Sequence, residues 1–534
     1  MSNPENPPTA PILDRLLGIG AALSGERDIN RLLERILESA QDIVNADGGT
    51  LYRVTDDRFL TFEILRNKSL ALHEGPAVGV PVDAAPLALF ENGAPVRDKV
   101  ATCCFHAHRT INIPDVYASD DTVFTGPRLM DAQLDYRTRS LLAVPMKNHE
   151  NEIIGIIQLV NAIDPATGAV VPFSPANQAL VESLASQAAV ALTNRLLIDH
   201  LEKLFESFVA VINDAIDAKS PYTHGHCARV PELTMLLAQA ADRTRSGPMK
   251  DFRMTARDAY ELRIAGLLHD CGKIVTPVHV VDKATKLQTI FDRIELIDTR
   301  FEIIRRDLEI AFLKGEISGP EHDTRLQMMT SDRDFIHKIN IGAEFMPDAD
   351  VARVKGIACR YRWINPNGVT VDFLSADEVD NLTIRYGTLN TQERDIINHH
   401  IDVTIRMLEK IPWPRHLRHV PEYAGGHHER MDGRGYPRGL TGAQMSVQAR
   451  CMGIADIFEA LTAPDRPYKT GKTLSEALRI LGKMKLDRHI DPDLFDIFVG
   501  EKIYMDYARK YLAPEQIDTV DETSIPGYAP VSAE

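Results

Sequence analysis

The sequence predicts a multidomain protein: an N-terminal α+β domain with an antiparallel sheet and flanking helices, a long connecting helix, and an all-α C-terminal domain that carries a helical and β-hairpin insertion. The length of 534 residues exceeds a common domain of about 150 residues several times. Apart from one candidate hairpin, strand-like runs occur in the first third of the chain, and helical apolar spacing dominates afterwards. An apolar content of 44% is typical of chains that bury cores.

The N-terminal domain is predicted over residues 12–190, after a Pro-rich tail, 1–11, that we expect to be disordered. Apolar residues recur at helical spacing up to about Val44. Four β-branched or aromatic runs bounded by turn residues then predict antiparallel strands. These runs are Gly49–Val54, Phe59–Leu65, Ser140–Lys147 and Ile153–Asn161. Helical spacing returns from Pro175.

The connecting helix, residues 191–213, continues the last helix of the first domain. Its apolar residues keep an alternating three-four spacing: Val190, Leu197, Leu201, Leu204, Phe208 and Val211. Such a stripe is typical of a two-stranded coiled coil, and it also suits a single helix packed on its own domain. Because a helix between domains has little else to pack against, we expect a homodimer through this helix.

The C-terminal domain is predicted over residues 214–513, followed by a flexible tail, 514–534. Its pattern is helical except for Arg360–Ile364 and Val369–Phe373, which alternate on both sides of Asn-Pro-Asn-Gly and predict a β-hairpin. A long amphipathic helix before the hairpin is indicated by Ile290, Ile294, Ile297, Phe301, Ile304 and Leu308.

Charge and cysteine usage narrow the function classes. The net charge of −16 argues against a general binder of nucleic-acid phosphates, which needs a basic face. The six cysteines form no CxxC pair and no disulfide framework, which favours a reducing compartment. No run approaches the ~20 apolar residues of a membrane span, and the N-terminus lacks the pattern of a signal peptide. We therefore expect a cytoplasmic protein.

Histidines and carboxylates are concentrated after the first domain, since 14 of the 18 histidines lie at or beyond His200. The candidate metal ligands are His224, His226, His269, Asp270, His399, His400, His427, His428, Glu429 and Asp456. Asp270 ends a buried apolar run, where an unpaired carboxylate is costly unless a cation compensates. More than four nitrogen and oxygen donors without a thiolate suit Fe or Mn better than a closed tetrahedral zinc site.

These residues resemble a known family. The combination of His226, His269-Asp270 and Asp456 is similar to the signature of the HD phosphohydrolase superfamily. The stretch from His427 to Pro437, His-His-Glu-Arg-Met-Asp-Gly-Arg-Gly-Tyr-Pro, resembles the HD-GYP subfamily, as does Arg-Pro-Tyr-Lys at residues 466–469. Members of that subfamily are bacterial cyclic di-GMP phosphodiesterases.

The resemblance implies two divalent metals and assigns a role to each matching residue. The first metal would be held by His226, His269, Asp270 and Asp456. The second would be held by His400, His427 and His428, with Asp270 bridging. Asp270 and Lys273 would act in catalysis. The substrate would be bound by Lys273, Arg466, Lys469, Gly435, Tyr436 and Pro437.

The sequence departs from the family pattern at three places. Tyr222 stands where some members place a Glu that helps to hold a third metal, so we expect a two-metal site. Thr404 replaces a family Gly after His400, which still fits the ligand position better than His399. Residues 288–386 form an insertion beside the active-site helices, for which a lid, a dimer surface and a partner site all stay open.

The N-terminal domain resembles GAF sensor domains in the stretches Asn112–Tyr117, Tyr136–Met146 and Ile154–Asn161. That family includes binders of cyclic nucleotides, haem, bilins and other small molecules. Because Ala162 interrupts the cyclic-nucleotide motif, we name no ligand. The stretch Cys103-Cys104-Phe-His106-Ala-His108 suits metal or haem ligation, chromophore attachment, or an ordinary surface loop.

The sequence therefore predicts a metal-dependent phosphodiesterase that hydrolyses the bacterial second messenger cyclic di-GMP to linear pGpG, and to GMP if both bonds are cut. A signal sensed by the GAF domain would regulate it. Two alternatives stay open: a catalytically weak cyclic di-GMP sensor that signals through protein partners, and a phosphodiesterase for another cyclic dinucleotide. In either enzyme, two metals together with Lys273, Arg466 and Lys469 would supply positive charge for an anionic substrate.

Overall fold

The computed structural model describes residues 9–118, 128, 131–132, 135–219, 225–342, 345–463 and 471–529, with side chains from residue 17 onward. The chain divides into two compact units, one up to Phe205 and one from Glu206. Within these described ranges, no helix has both the length and the apolar character needed to cross a membrane.

The first unit is built on an antiparallel sheet. Its strands are β1 Ala46–Val54, β2 Phe59–Asn67, β3 Leu72–Glu74, β4 Leu87–Ala88, β5 Phe90–Glu91, β6 Ala94–Pro95, β7 Ile111–Ile113, β8 Leu141–Lys147, β9 Ile153–Ile163 and β10 Val170–Val171. The main sheet has the order β3-β2-β1-β9-β8-β7, with β4 paired to β2 and β10 paired to β9. β5 and β6 form a separate two-stranded sheet. The predicted α+β class is confirmed, and its four predicted strands are β1, β2, β8 and β9.

The helices whose full bounds the structure describes in this unit are α1 Thr9–Gly25, α2 Ile29–Ile43, α3 Val100–Ala107 and α4 Pro175–Lys219, of which α4 continues into the second unit. Asp28 begins α2 by accepting hydrogen bonds from the backbone N–H groups of Asn30 and Arg31. Since α1 already begins at Thr9, the predicted disordered tail is wrong for residues 9–11. Residues 1–8 lie outside the described part of the chain.

The register of the sheet creates one apolar face. Leu51 of β1 and Val144 of β8 both pair with Ile157 of β9, so that three apolar side chains lie side by side. α2 and α4 cover this face with residues such as Ile36 and Leu184, in one buried cluster. Burying each such side chain contributes about 1.5–3 kcal/mol, and this term fixes the helices on the sheet.

α3 replaces a predicted surface loop. Cys104 lies on the buried side of this helix, and its thiol donates to the carbonyl oxygen of Arg109 at 3.4 Å. Burial raises the pKa of Cys104 to about 12, so the thiol stays protonated. A ring nitrogen of His106 lies 2.8 Å from the carbonyl oxygen of Leu89. Cys104 and His106, two of the side chains considered for metal or haem ligation, therefore already contact backbone carbonyl oxygens.

The second unit is helical. Its main helices are α5 His226–Arg243, α6 Ala256–Leu268, α7 Val278–Val281, α12 Thr391–Leu408, α13 Val420–Gly425, α14 Val447–Thr462, α15 Leu474–Leu486, α16 Pro492–Gly500 and α17 Ile503–Tyr511. α5 packs against both α6 and α14, and α13 joins α6 to α12. A short 3-10 helix, Cys271–Val275, packs on α12. This arrangement gathers the ends of α6 and α13 around the start of α5.

The insertion forms a subdomain with its own core. It contains α8 Ile294–Leu313, α9 Gly319–Asn340, α10 Asp348–Arg360, β11 Arg362–Ile364, β12 Thr370–Asp372 and α11 Ala376–Leu382. Phe301, Phe373 and Leu382 lie in one buried cluster. The predicted hairpin is confirmed by the antiparallel pairing of β11 with β12. Ile290 is wrong as a member of the amphipathic helix, because it lies before α8 and is 91% exposed.

The C-terminal tail is ordered as far as the structure describes it. Gln516 donates from Nε2 to the carbonyl oxygens of Thr462 at 2.9 Å and Lys472 at 3.1 Å, and Ile525 is buried. The prediction of a flexible tail is therefore wrong for residues 514–529, because a buried isoleucine and a bonded amide hold them. Residues 530–534 lie outside the described part.

Candidate metal centre

All seven side chains predicted to hold metals come together in the second unit. His226 begins α5, His269 and Asp270 follow α6, and His400 lies in α12. His427 and His428 follow α13, and Asp456 lies in α14. Two sets of three each have ligand atoms within 4.8 Å of one another: His226, His269 and Asp270, and then His400, His427 and His428.

The first set is completed by Asp456. Nε2 of His226 lies 3.2 Å from Oδ2 of Asp270 and 3.3 Å from Oδ1 of Asp456. Nε2 of His269 lies 3.2 Å from the same Asp270 oxygen. Two imidazoles and two carboxylates thus face a common point.

Asp270 also faces the second set. Its other oxygen, Oδ1, lies 3.2 Å from Nε2 of His400. The rings of His427 and His428 have centroids 4.1 Å apart, and the His400 ring lies 5.2 Å from that of His428. Each Asp270 oxygen therefore faces a different set of imidazoles, as a bridging carboxylate requires.

Backbone carbonyls orient three of the rings. Nδ1 of His269 lies 2.7 Å from the Gly266 oxygen, and Nδ1 of His427 lies 2.7 Å from the Ala424 oxygen. Nδ1 of His400 contacts the Ile397 oxygen in the same way. Because a carbonyl oxygen can only accept, Nδ1 carries the proton and the Nε2 lone pair is free to bind a cation.

A carboxylate orients the fourth ring. Oε2 of Glu459 lies 2.6 Å from Nδ1 of His226, and Oε1 accepts from Nε of Arg229 at 2.7 Å. Glu459 is almost fully buried. The sequence patterns did not identify it, although its position three residues after Asp456 on α14 places both carboxylates on one helix face.

The nitrogen and oxygen atoms at the centre of the two sets are buried, and most of them have no hydrogen-bond partner among the described residues. Nε2 of His226, His269, His400 and His427, and Oδ1 of Asp270, are buried without a hydrogen-bond partner among the residues that the structure describes. Buried nitrogen and oxygen donors this close together without hydrogen-bond partners are unfavourable unless positive charge lies among them. The donor set therefore fits divalent metal ions.

Protonation in the second set also suits metal binding. Burial lowers the pKa of His427 well below its usual value and that of His428 to about 4, so both rings are neutral near pH 7. Burial acts against ionisation of Asp270, but His269 and Lys273 outweigh it and hold its pKa well below the usual range. Neutral imidazoles and ionised carboxylates are the forms that bind divalent cations.

The carboxylates of the first set stabilise positive charge on the groups around them. Burial acts against protonation of His226, but Asp270, Asp456 and Glu459 outweigh it and raise its pKa well above the usual value. Burial similarly opposes the Lys273 ammonium, whereas Asp270 and Asp456 raise its pKa. Lys273 donates from Nζ to Oδ2 of Asp270 at 2.5 Å. These carboxylates therefore attract cations strongly.

The loop after His428 folds back over that ring. The Tyr436 ring stacks on His428, with centroids 4.8 Å apart and planes at 28°. Glu429 accepts from the backbone N–H groups of Arg438 at 2.7 Å and Leu440 at 2.8 Å, which closes the loop. A Cβ at Gly435 would collide with the backbone of residues 429–430, so only glycine fits there.

The structure separates His400 from its neighbour. His399 is exposed and pairs with Asp402, whereas His400 is buried at the centre. The departure at Thr404 has a structural role, because its hydroxyl accepts from the Gly272 N–H at 2.9 Å. This bond ties the segment after Asp270 to α12.

Four residues considered in the sequence lie outside the described part of the chain. They are Tyr222, His224, Arg466 and Lys469.

Known protein families match stretches of both units. The GAF domain family matches residues 28–192, and the HD domain family matches residues 223–338 and 376–494. Among solved structures, the GAF domain/HD domain protein from Geobacter sulfurreducens is 23% identical over 33% of this chain and 98% of that chain, with a TM-score of 0.23.

Curated relatives match short segments. The 3'3'-cGAMP-specific phosphodiesterase 1 of Vibrio cholerae is 45% identical over 80 residues, which are 15% of this chain and 18% of the relative. A cyclic di-GMP phosphodiesterase of Pseudomonas aeruginosa is 45% identical over 73 residues, 14% of this chain and 17% of the relative. One of Thermotoga maritima is 33% identical over 132 residues, 24% of this chain and 35% of the relative. The chain thus spans about a third or less of the length of each of these relatives.

Proposed function

We propose that this chain, which carries a GAF domain followed by an HD domain, is a metal-dependent phosphodiesterase of cyclic dinucleotides. The observation that carries the proposal is the position of Asp270, whose two oxygens each face a different set of imidazoles. We assign His226, His269, Asp270 and Asp456 to a first metal. His400, His427 and His428, with Asp270 shared, belong to a second.

Cyclic di-GMP is the first candidate substrate and 3'3'-cGAMP the second. Relatives named for each of the two molecules support both. The two substrates share a ring with two phosphodiesters and differ in one base. With cyclic di-GMP, linear pGpG is the first product and GMP the second.

The residues of the centre suit phosphodiester hydrolysis. When bound, two divalent ions, Fe or Mn, supply Lewis acidity and activate a water for in-line displacement at phosphorus. The Lys273 ammonium, 2.5 Å from Asp270, lies where it can neutralise charge that develops on a non-bridging phosphate oxygen. Tyr436 and its neighbours Gly435 and Pro437 would border the substrate beside His428. Arg466 and Lys469 are proposed as further phosphate ligands on the motif alone.

We further propose that the GAF domain regulates hydrolysis and that the chain forms a homodimer through α4. The predicted stripe on that helix is exposed along its length: Val190, Leu197, Leu201, Leu204, Phe208 and Val211 each retain 49–64% of their accessible surface. A row of exposed large apolar side chains is unfavourable in water, and a second copy of the helix would cover it.

A turnover panel tests the substrate class. Protein purified without oxygen and loaded with Fe²⁺ or Mn²⁺ is incubated with cyclic di-GMP, 3'3'-cGAMP and cyclic di-AMP, and the products are separated by chromatography. We expect linear dinucleotide from at least one guanine-containing substrate. Tight binding of cyclic di-GMP without turnover by fully loaded protein would instead identify a sensor that acts through protein partners.

A further inference from the structure

The last turn of α4 contacts two of the three chain segments that supply the first ligand set, those of His226 and of Asp270. Oδ2 of Asp217 accepts from the backbone N–H of Gly225 at 3.0 Å. Nζ of Lys219 donates to the carbonyl oxygen of Lys273 at 3.1 Å and also to that of Ile274. All of these residues belong to the second unit.

The Asp217 contact fixes where α5 begins. Gly225 is the N-cap of α5, and its φ of 79° lies in the left-handed region that favours glycine. The first N–H groups of a helix have no partner within it, so an acceptor from another element determines how the helix starts. His226 is the first residue of α5, and the position of its ring follows from that start.

The Lys219 contact fixes the segment that follows Asp270. Lys273 and Ile274 lie in the 3-10 helix Cys271–Val275, and the Lys273 carbonyl also accepts from the backbone N–H of Thr276. A cation is favourable at the carbonyl end of a helix. The same 3-10 helix is held to α12 from Gly272 to Thr404. Lys219 and Thr404 therefore hold this segment from two different helices.

We infer that Asp217 and Lys219 are positioning residues that set the separation between His226 and Asp270. Residues two apart on a helix differ in direction by about 200°, so the two contacts leave α4 on nearly opposite sides. A rotation of α4 about its axis therefore moves the start of α5 and the 3-10 helix in opposite directions. This movement changes the 3.2 Å distance between Nε2 of His226 and Oδ2 of Asp270. On the proposed function, this turn is the point at which α4 controls hydrolysis.

The test measures metal affinity and turnover separately in the full chain. Metal-free wild type, Lys219→Met, Lys219→Arg and Asp217→Ala are titrated with Mn²⁺ against a chromogenic chelator, and kcat and KM are then measured with cyclic di-GMP. Lys250→Met, a change at an exposed lysine of the same unit, is the matched control. Thermal unfolding midpoints show whether each variant folds.

We expect Lys219→Met and Asp217→Ala to weaken Mn²⁺ binding and lower kcat by about tenfold, the range typical of residues that orient metal ligands. KM stays within about twofold, because neither residue is among those assigned to the substrate. Lys219→Arg restores both values, since it can donate to the same carbonyls, and Lys250→Met behaves as wild type.

Folded Lys219→Met and Asp217→Ala proteins with wild-type Mn²⁺ affinity and kcat would overturn the inference. If Lys219→Met does not fold, Asp217→Ala decides the question by the same measurements. If the wild type hydrolyses no cyclic dinucleotide while both variants still lose Mn²⁺ affinity, the positioning role stands and the proposed substrate class is wrong.

Discussion

Glu459 and His226 form a buried pair in which the carboxylate lies 2.6 Å from Nδ1 of the imidazole. The pair joins two helices, α14 and α5, and it leaves the opposite ring nitrogen of His226 facing Asp270 and Asp456. A carboxylate in this position fixes the ring and makes it a stronger metal ligand. The first ligand set therefore depends on a residue that does not itself face the metal position.

Replacement of Glu459 tests this dependence. We expect Glu459→Gln to weaken Mn²⁺ binding about tenfold, because a neutral amide polarises the His226 ring less than a carboxylate does. The measurement is a competition titration of the metal-free protein. Glu501→Gln, at an exposed position of the same unit, is the control and should bind as wild type. Equal affinity in both variants would show that Glu459 acts only in packing.

Adjacent histidines on α12 provide a matched pair of variants. His400→Ala should lower the metal content from two ions per chain to one and reduce turnover at least a hundredfold, because it removes a buried donor of the second set. His399→Ala should leave both values unchanged, since that side chain is exposed and paired with Asp402. Metal analysis of both purified proteins checks the result. Loss of metal from the His399 variant would show that the wrong histidine has been assigned.

Because Lys286 is buried, we expect the insertion to become more stable as the pH rises above about 8. Burial lowers the pKa of Lys286 to about 8, although Asp350 opposes the shift. Its Nζ donates to the Leu382 carbonyl oxygen at 3.0 Å and to Sδ of Met346 at 3.4 Å, and no carboxylate in the described part of the chain accepts from it. The folded state releases the proton near pH 8 and the unfolded state only near 10.4, so the free energy of unfolding rises between these values.

We therefore expect wild type to gain stability relative to Lys286→Met as the pH rises from 7 to 10. Urea unfolding followed by Trp363 fluorescence, in a Trp413→Phe background, reports on the insertion. A difference between the two proteins that is independent of pH would mean that Lys286 keeps an ordinary pKa in the folded state.

The exposed apolar stripe on α4 predicts a dimer, and a single charged residue placed in the stripe should disrupt it. Leu201→Glu places a carboxylate in the stripe and should halve the mass measured by sedimentation, because the charge would be buried against the second helix. Ala210→Glu puts the same group at an exposed position about 180° away from Leu201 around the helix and should leave the mass unchanged. A monomeric wild type would contradict the proposed dimer.

The sequence predicted those elements whose signals are local. Strands β1, β2, β8 and β9 carry long apolar runs, and the hairpin carries a turn motif between alternating residues. Strands of two or three residues, such as β4 and β5, have no such pattern because they form only when a partner strand lies beside them. The order of the C-terminal tail was not predicted for the same reason, since Ile525 is buried by residues distant in sequence.

The candidate site shows a similar division. Its seven proposed ligands stand in motifs that the sequence displays, and the structure brings all seven together. Glu459 stands three residues after Asp456 in the same stretch, but the sequence assigns it no role, because a glutamate on a helix is usually solvated and only the fold shows that it meets His226. Asp217 and Lys219 are likewise ordinary surface residues until α4 is placed against Gly225 and the 3-10 helix.

We propose that Asp270 is shared between two metal ions, and metal analysis of Asp270→Ala tests this sharing. Wild type purified without oxygen should contain two Fe or Mn ions per chain, and Asp270→Ala should retain close to none, because each set loses one of its donors. His428→Ala, which removes a donor of the second set alone, should retain one ion. An Asp270→Ala protein that is folded and still holds two ions, or that still hydrolyses cyclic di-GMP at the wild-type rate, would show that Asp270 does not bridge two metals.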